Sequence, residues 1–192
     1  CAYHKQCGGC QIQALSYDKQ LEYKKQKVLN NLTRIGGLTE LTEFDLIGMD
    51  EPYQYRNKAQ FPFGTDKNGE IVTGFYAGRT HSIISNTKCY LGVEENERIL
   101  EIILAHLKKY NIPAYDEQTG KGLLRHVLIR KGFTTGELMV CLILNGTRMP
   151  EVKELVDELV KIPGMTSITI NVNTKQTNVI MGQEMRSVWG QD

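Results

Sequence analysis

The sequence lacks any apolar run close to the roughly 18 residues that a membrane-spanning helix needs, so we predict no membrane partner. It also lacks a basic stretch followed by an apolar one at its start, so we predict no signal peptide and a cytoplasmic protein. Internal repeats, low-complexity linkers and flavin or nicotinamide fingerprints are absent as well. With 41% hydrophobic and 23% charged residues, the composition is that of an ordinary globular protein with a buried core.

An initial Met is also missing: the chain begins at Cys1, and we expect its 192 residues to lie inside a longer protein. Acidic residues are missing from the segment 121–136, which holds four basic residues, and the segment 53–88 has five basic residues against two acids. A phosphate-facing surface needs such segregation, because Lys and Arg bind RNA by displacing condensed counterions. Since the net charge is only +1, charge alone favours solvated faces instead.

The hydrophobic pattern predicts an α+β protein of antiparallel sheets with flanking helices. Helices are expected from Ser16 as N-cap to about Arg34, over 94–110 and over 150–161. Strands are expected, in chain order, at 44–49, 55–63, 71–76, 81–85, 123–131, 137–144, 167–172 and 178–181. The order indicates two α+β units, 1–92 and 93–192, joined by the helix that follows Cys89.

Four of the five cysteines carry the strongest chemical signal. Cys1, Cys7 and Cys10 form C-x5-C-G-G-C, and Cys89 follows after a long insertion. Thiolates bind soft metals, and the two glycines let the backbone turn tightly and bring amide N–H groups near the sulfurs. Cys141 lies within an apolar strand and is expected to be a small core residue.

Three kinds of cysteine site compete at this point. Disulfides need an oxidising compartment, which nothing here indicates. A four-cysteine zinc site has the right number of ligands, but zinc knuckles usually show two C-x2-C pairs. A [4Fe–4S] cluster accommodates three near ligands and one distant ligand, so the spacing favours a cluster without excluding zinc. His4 is a further candidate ligand.

Further motifs surround the cysteines. The C-x5-C-G-G-C block is followed directly by Gln-Ile-Gln and then by a predicted helix that carries Tyr17, Gln20, Lys24 and Val28. Later in the chain stand Tyr55–Gln60, Gly74–Tyr76, His81–Ser82, Leu124–His126, and Ile168–Val172 followed by Gly182. In these features, and over essentially its whole length, the chain resembles the bacterial RNA (uracil-5-)-methyltransferases, which include the enzymes that make 5-methyluridine in 23S rRNA.

The resemblance implies a [4Fe–4S] cluster on Cys1, Cys7, Cys10 and Cys89, and a central domain that helps to grip folded RNA. It also implies a Rossmann-like domain that binds SAM and carries the catalytic cysteine, which would lie beyond Asp192 and be absent here. No residue of this chain is therefore assigned a catalytic or SAM-binding role. The implied partner is 23S rRNA, bound by a monomer.

Alternation along 55–63 gives RNA contact a physical basis. Tyr55 falls on the inner face with the other apolar residues, whereas Arg56, Lys58 and Gln60 share the outer face, about 6.8 Å apart and close to the spacing of phosphates. A solvated outer face is the alternative. His81 and Arg125 are further candidate RNA contacts, with packing against the cysteine loop as the alternative for His81.

Three functions remain open from the sequence. The resemblance favours the cluster-bearing, RNA-docking region of a SAM-dependent RNA (uracil-5-)-methyltransferase, which would not transfer methyl groups by itself. A standalone RNA-binding module with a metal staple is the second. A small iron–sulfur electron carrier is the third.

Overall fold

The structure, a computed structural model, describes residues 1–191, which form one seven-stranded sheet and three helices. The helices are α1 (Tyr17–Arg34), α2 (Glu95–Lys109) and α3 (Val152–Leu159). The strands are β1 (Lys58–Thr65), β2 (Ile71–Tyr76), β3 (Ile83–Ser85), β4 (Leu124–Lys131), β5 (Leu138–Leu144), β6 (Met165–Val172) and β7 (Glu184–Gly190). Their order across the sheet is β3-β2-β1-β4-β5-β6-β7.

The sheet is mixed, because β5 and β6 run parallel while the other neighbouring strands run antiparallel. A parallel pair needs a crossover connection, and α3 lies between these two strands in the chain. The α+β class is confirmed, whereas the predicted antiparallel sheets are corrected to a single mixed sheet. Ala59 of β1 lies opposite Ile129 of β4, so the sheet continues across residue 92. The division into two units stays a prediction.

The main core lies between helices α2 and α3 and one face of the sheet. Val140 and Leu142 of β5 share this core with Ile103 of α2. Cys141 and Ile143 are buried on the opposite face of β5, in a second small cluster. Burial on both faces explains why β5 reads as a continuous apolar run. The prediction that Cys141 is a core residue is confirmed, since it is 0% exposed.

Helix α1 stands apart from this core. It has Ser16 as its N-cap and ends at Arg34, as predicted, and the chain turns away at Gly37 with a φ of +68°. None of its residues is buried, and Tyr23 and Val28 are 49% and 44% exposed. In proteins, most helical stability comes from tertiary packing rather than from intrinsic propensity. The position of α1 therefore depends on the segments next to it. Within residues 1–191, no helix is long and apolar enough to span a bilayer.

Two predicted strands are wrong, and one strand was not predicted. The segment 44–49 forms no strand, and its Ile47 is 96% exposed. The segment 178–181 is a loop whose Val179 carbonyl accepts a hydrogen bond from the Asn173 side chain at 2.7 Å. β7 has no apolar alternation and is mostly exposed, so only its pairing with β6 specifies it.

Candidate cysteine centre and nucleic-acid interface

The N-terminal cysteine loop is docked on the turn between β2 and β3. Cys7 forms an antiparallel bridge with Ala77, and the N–H of Gly8 donates to the Tyr76 carbonyl at 2.9 Å. A Cβ at Gly8 would lie 3.2 Å from that carbonyl oxygen, so the close approach favours glycine. The N–H of Gly9 donates to the Cys7 Sγ at 3.4 Å. One backbone amide, that of Gly9, therefore lies next to a cysteine sulfur, that of Cys7, as predicted.

The segment that contains Cys89 is held by a second set of backbone hydrogen bonds. The N–H of Gln54 donates to the Tyr90 carbonyl, and the N–H of Arg56 donates to the Leu91 carbonyl, both at 2.9 Å. These bonds place the residues after Cys89 alongside the residues that precede β1. Two parts of the chain that are far apart in sequence thus form one wall beside the cysteine loop.

Cys10 lies where the cysteine loop meets the Cys89 segment. Its pKa is raised, first by burial and then by the charges of Cys89 and Cys7, whereas the Arg56 guanidinium lowers it. Because salt screens charges over about 10 Å, these groups lie within electrostatic range of Cys10. Thiolates that repel one another are stabilised by a bound metal ion, which makes this donor set chemically suited to a soft metal centre.

Among residues 1–191, no group of three or more His, Cys, Asp or Glu side chains converges closely enough to hold a metal ion. Cys1 is exposed, while Cys7, Cys10 and Cys89 are half-buried. His4 is near Cys1, with its Nδ1 3.0 Å from the Cys1 carbonyl oxygen. Ligation by the four cysteines stays a prediction: the donor type fits it, and the four sulfurs would have to draw together around a centre.

The predicted stripe of Arg56, Lys58 and Gln60 is not continuous along one strand. β1 begins at Lys58, and Arg56 lies before it in a bridge with Gly92, because this stretch of backbone pairs with the segment after Cys89. Arg56 and Lys58 are exposed, whereas Gln60 is half-buried. Tyr55, which was predicted on the inner face of the strand, is instead 44% exposed.

His81 belongs to a hydrogen-bonded group that lines a groove of about 850 Å³. Its Nδ1 lies 2.8 Å from Glu117 Oε2, and the Tyr76 hydroxyl donates to Glu117 Oε1 at 2.8 Å. His126 lines the same groove. A carboxylate beside His81 repels phosphate, so this position is less favourable for a backbone contact to RNA than the sequence suggests.

Arg125 is 4% exposed and is engaged inside the protein. Its Nη1 donates to the Asn173 and Lys175 carbonyls, both at 2.7 Å, and its guanidinium lies 4.3 Å from the centroid of the Tyr115 ring. These contacts fasten the 173–177 loop to the sheet. The predicted RNA contact by Arg125 would require these bonds to be given up.

Comparisons with known proteins place this geometry in context. No family model matches the chain. A Clostridium tetani protein named an uncharacterized RNA methyltransferase is 40% identical over 193 residues, covering 100% of this chain and 42% of that protein. A Halalkalibacterium halodurans protein with the same description is 44% identical over 193 residues, again covering 100% of the chain and 42% of its own length. Over its whole length the chain is therefore similar to proteins named as RNA methyltransferases.

The chain spans 42% of these methyltransferase relatives, less than half of their length. A solved structure also resembles it: the crystal structure of Pyrococcus abyssi tRNA (uracil-54, C5)-methyltransferase in complex with S-adenosyl-L-homocysteine. The TM-score is 0.74 at 24% identity, with 96% of this chain and 41% of that chain covered. This second likeness establishes a shared fold.

Sequence reasoning missed one feature of this chain, a tyrosine-lined groove beside the cysteine loop. Its volume is about 460 Å³, and Tyr17, Tyr53, Tyr55, Lys24 and Arg56 are among the residues that line it. The Tyr-Gln-Tyr stretch before Arg56 was a usable signal. Only its Tyr55 was considered, on the inner face of the strand predicted over 55–63, because the alternation of β1 was extended too far towards the N-terminus.

Burial of His126 predicts a loss of stability at acidic pH. The side chain is 7% exposed, and its Nδ1 has no hydrogen-bond partner within residues 1–191. Burial, and then the charge of Arg125, lower its pKa from 6.5 to about 4. The unfolded chain therefore binds this proton at higher pH than the folded chain. We expect the free energy of unfolding to fall as pH falls from about 6.5 to about 4, by up to roughly 3 kcal/mol.

Urea unfolding at a series of pH values measures this effect. His126→Gln should flatten the pH dependence in that window, whereas His81→Gln, at an exposed histidine, should leave it in place. An unchanged slope in His126→Gln would assign the acid sensitivity to other groups.

Proposed function

We propose that this chain is the cluster-bearing and RNA-docking part of a SAM-dependent RNA (uracil-5-)-methyltransferase, which forms 5-methyluridine in 23S rRNA as a cytoplasmic monomer. The observation that carries the proposal is the match, over the whole of this chain and 42% of the relatives, to proteins named as RNA methyltransferases. The solved neighbour acts on uracil and is bound to S-adenosyl-L-homocysteine, which supports uracil as the base and SAM as the methyl donor. SAM binding and catalysis are proposed for the part of the relatives that this chain does not cover.

A [4Fe–4S] cluster on Cys1, Cys7, Cys10 and Cys89 is proposed as a structural staple. The charges of Cys7 and Cys89 act on the thiol of Cys10, and α1 has no buried residue that could position it. A cluster would tie the cysteine loop, and α1 directly after it, to the segment before α2. Anaerobically purified protein is expected to contain about four iron and four sulfide per chain. If the purified protein instead contains stoichiometric zinc and no sulfide, the cluster is overturned and the centre is a zinc site.

RNA docking is proposed for the exposed cations near this centre. Lys58 lies opposite Arg130 in the register of β1 and β4, and both side chains are exposed, so they offer adjacent positive charges to phosphates. Each cation that contacts a phosphate contributes about 0.7–0.9 to the slope of log affinity against log salt concentration.

Titration of RNA at several salt concentrations tests the docking. Lys58→Gln should lower the salt slope by about one phosphate contact, whereas Lys153→Gln, at an exposed lysine on α3, should leave the slope unchanged. Docking would be overturned if the protein bound no RNA, or bound it with an affinity independent of salt.

Methyl transfer requires a protein that carries this chain together with the remaining length of its relatives. Given labelled SAM and either 23S rRNA or tRNA, it should place the label on uridine of the rRNA. Label on tRNA alone would correct the substrate, and label on neither RNA would overturn the proposed activity.

A further inference from the structure

The groove beside the cysteine loop has the composition of a site for a nucleotide. Three tyrosines line it, Tyr17, Tyr53 and Tyr55, together with the cations Lys24 and Arg56. In the described part of the chain, none of the residues that line it is Asp or Glu. Its volume of about 460 Å³ falls in the range of small-ligand sites. The positive charge complements a phosphate, and the rings complement a base.

Tyr53 is held in an orientation that leaves it available for stacking. Its ring centroid lies 6.3 Å from that of Tyr90, with the two planes at 80°, so an edge-to-face contact fixes it from one side. Tyr53 is nevertheless 51% exposed, and Tyr55 is 44% exposed. Two rigid aromatic side chains exposed within three residues of each other offer a platform on which bases stack without sequence preference.

The walls of the groove are preformed by bonds between distant segments. The N–H of Met49 donates to the Tyr17 hydroxyl oxygen at 2.6 Å, which joins α1 to the stretch that carries the tyrosines. Tyr17 and Lys24 lie seven residues apart on α1 and so on the same face of the helix. Lys24 forms no ion pair among residues 1–191, and its charge is free to meet an anion.

We infer that this groove takes up an unstacked nucleotide from a single-stranded segment of RNA. The base lies against Tyr53 and Tyr55, and the phosphate lies between Lys24 and Arg56. A paired base in a duplex cannot present its face to a side chain, so the groove selects loops, bulges and ends. The inference deepens the proposed function, on which it rests, by naming the form of RNA and the residues that take it up.

Fluorescence titration of a short labelled single-stranded RNA into the anaerobically purified protein tests the groove. Tyr53→Ala and Tyr55→Ala should each weaken binding by about 5- to 150-fold, the effect of losing one stacked base. Tyr53→Phe keeps the ring and should bind within about twofold of the unmodified protein. Tyr23→Ala is the matched control, since Tyr23 is a 49% exposed tyrosine on α1 that does not line the groove.

The lysines of α1 supply a second comparison. Lys24→Gln should lower the salt slope by about one phosphate contact, whereas Lys27→Gln, three residues further along the helix and outside the groove, should not. Duplex RNA of the same length should bind the unmodified protein and the two alanine variants alike.

The outcomes separate this inference from the proposed function. If the unmodified protein binds RNA but Tyr53→Ala and Tyr55→Ala match Tyr23→Ala, the groove is overturned and RNA docking elsewhere stands. The groove is also overturned if these two variants lose duplex binding to the same extent as single-stranded binding. If the unmodified protein binds no RNA, docking and the groove are overturned together.

Discussion

Cys89→Ala is expected to remove the metal centre and release α1. The variant should lose the visible absorbance and most of the iron of the anaerobic protein, because a four-thiolate centre that loses one ligand is no longer closed. Since α1 has no buried residue, it would then rest on a few hydrogen bonds. We expect its amide protons to exchange at least about tenfold faster, while those of β4, β5 and β6 keep the protection of the core.

Cys141→Ala is the matched control, because it removes a thiol that is 0% exposed and lies in the sheet. It should cost about 1 kcal/mol of global stability and leave the iron content and the exchange of α1 unchanged. Full iron content in Cys89→Ala would contradict the ligand assignment. Equal acceleration of exchange in α1 and in the sheet would contradict the role of a local staple.

Arg125→Met is expected to lower the free energy of unfolding by about 3 kcal/mol. The Asn173 and Lys175 carbonyls lose a charged donor, and the contact with the Tyr115 ring is weakened. Chemical denaturation measures the loss. Arg130→Met makes the same change at an exposed position on the same strand and should stay within about 0.5 kcal/mol of the unmodified protein.

RNA affinity, measured where Arg125→Met and the unmodified protein are both folded, separates two roles of Arg125. A structural role predicts that Arg125→Met is unstable but binds RNA with nearly unchanged affinity. A variant of near-normal stability that binds RNA several-fold more weakly would instead support the RNA contact predicted from sequence.

The predictions that succeeded rest on local patterns. α1 begins after Ser16 and ends before the two glycines, as predicted, although the Ser16 side chain makes no capping hydrogen bond. The turn between β1 and β2 is specified by Asp66, whose Oδ1 accepts the N–H of Asn68 at 2.8 Å. Buried strands such as β5 are specified by their apolar runs. Each of these signals lies within a few residues of the structure that it determines.

The features that local sequence patterns do not reveal depend on pairing between distant segments. The start of β1 at Lys58 follows from the bond between Arg56 and Leu91, which no pattern around residue 56 encodes. The burial of Arg125 follows from carbonyls in the 173–177 loop. The parallel pairing of β5 with β6 depends on the path of the chain through α3. The formation of β7 depends on the edge of β6, with which it pairs.

The sequence by itself determined the α+β class, the helices and most strands, because hydrophobic period is a local property, and from the cysteine spacing it predicted a soft-metal centre. Only the tertiary structure decided which thiols lie within electrostatic range of Cys10, that Tyr53 and Tyr55 face a groove, and that Arg125 is buried. These features arise where long-range backbone bonds bring separate segments together. These hydrogen bonds join backbone N–H and C=O groups, which almost every residue type carries. The identity of the residues therefore gives little indication of which segments will pair.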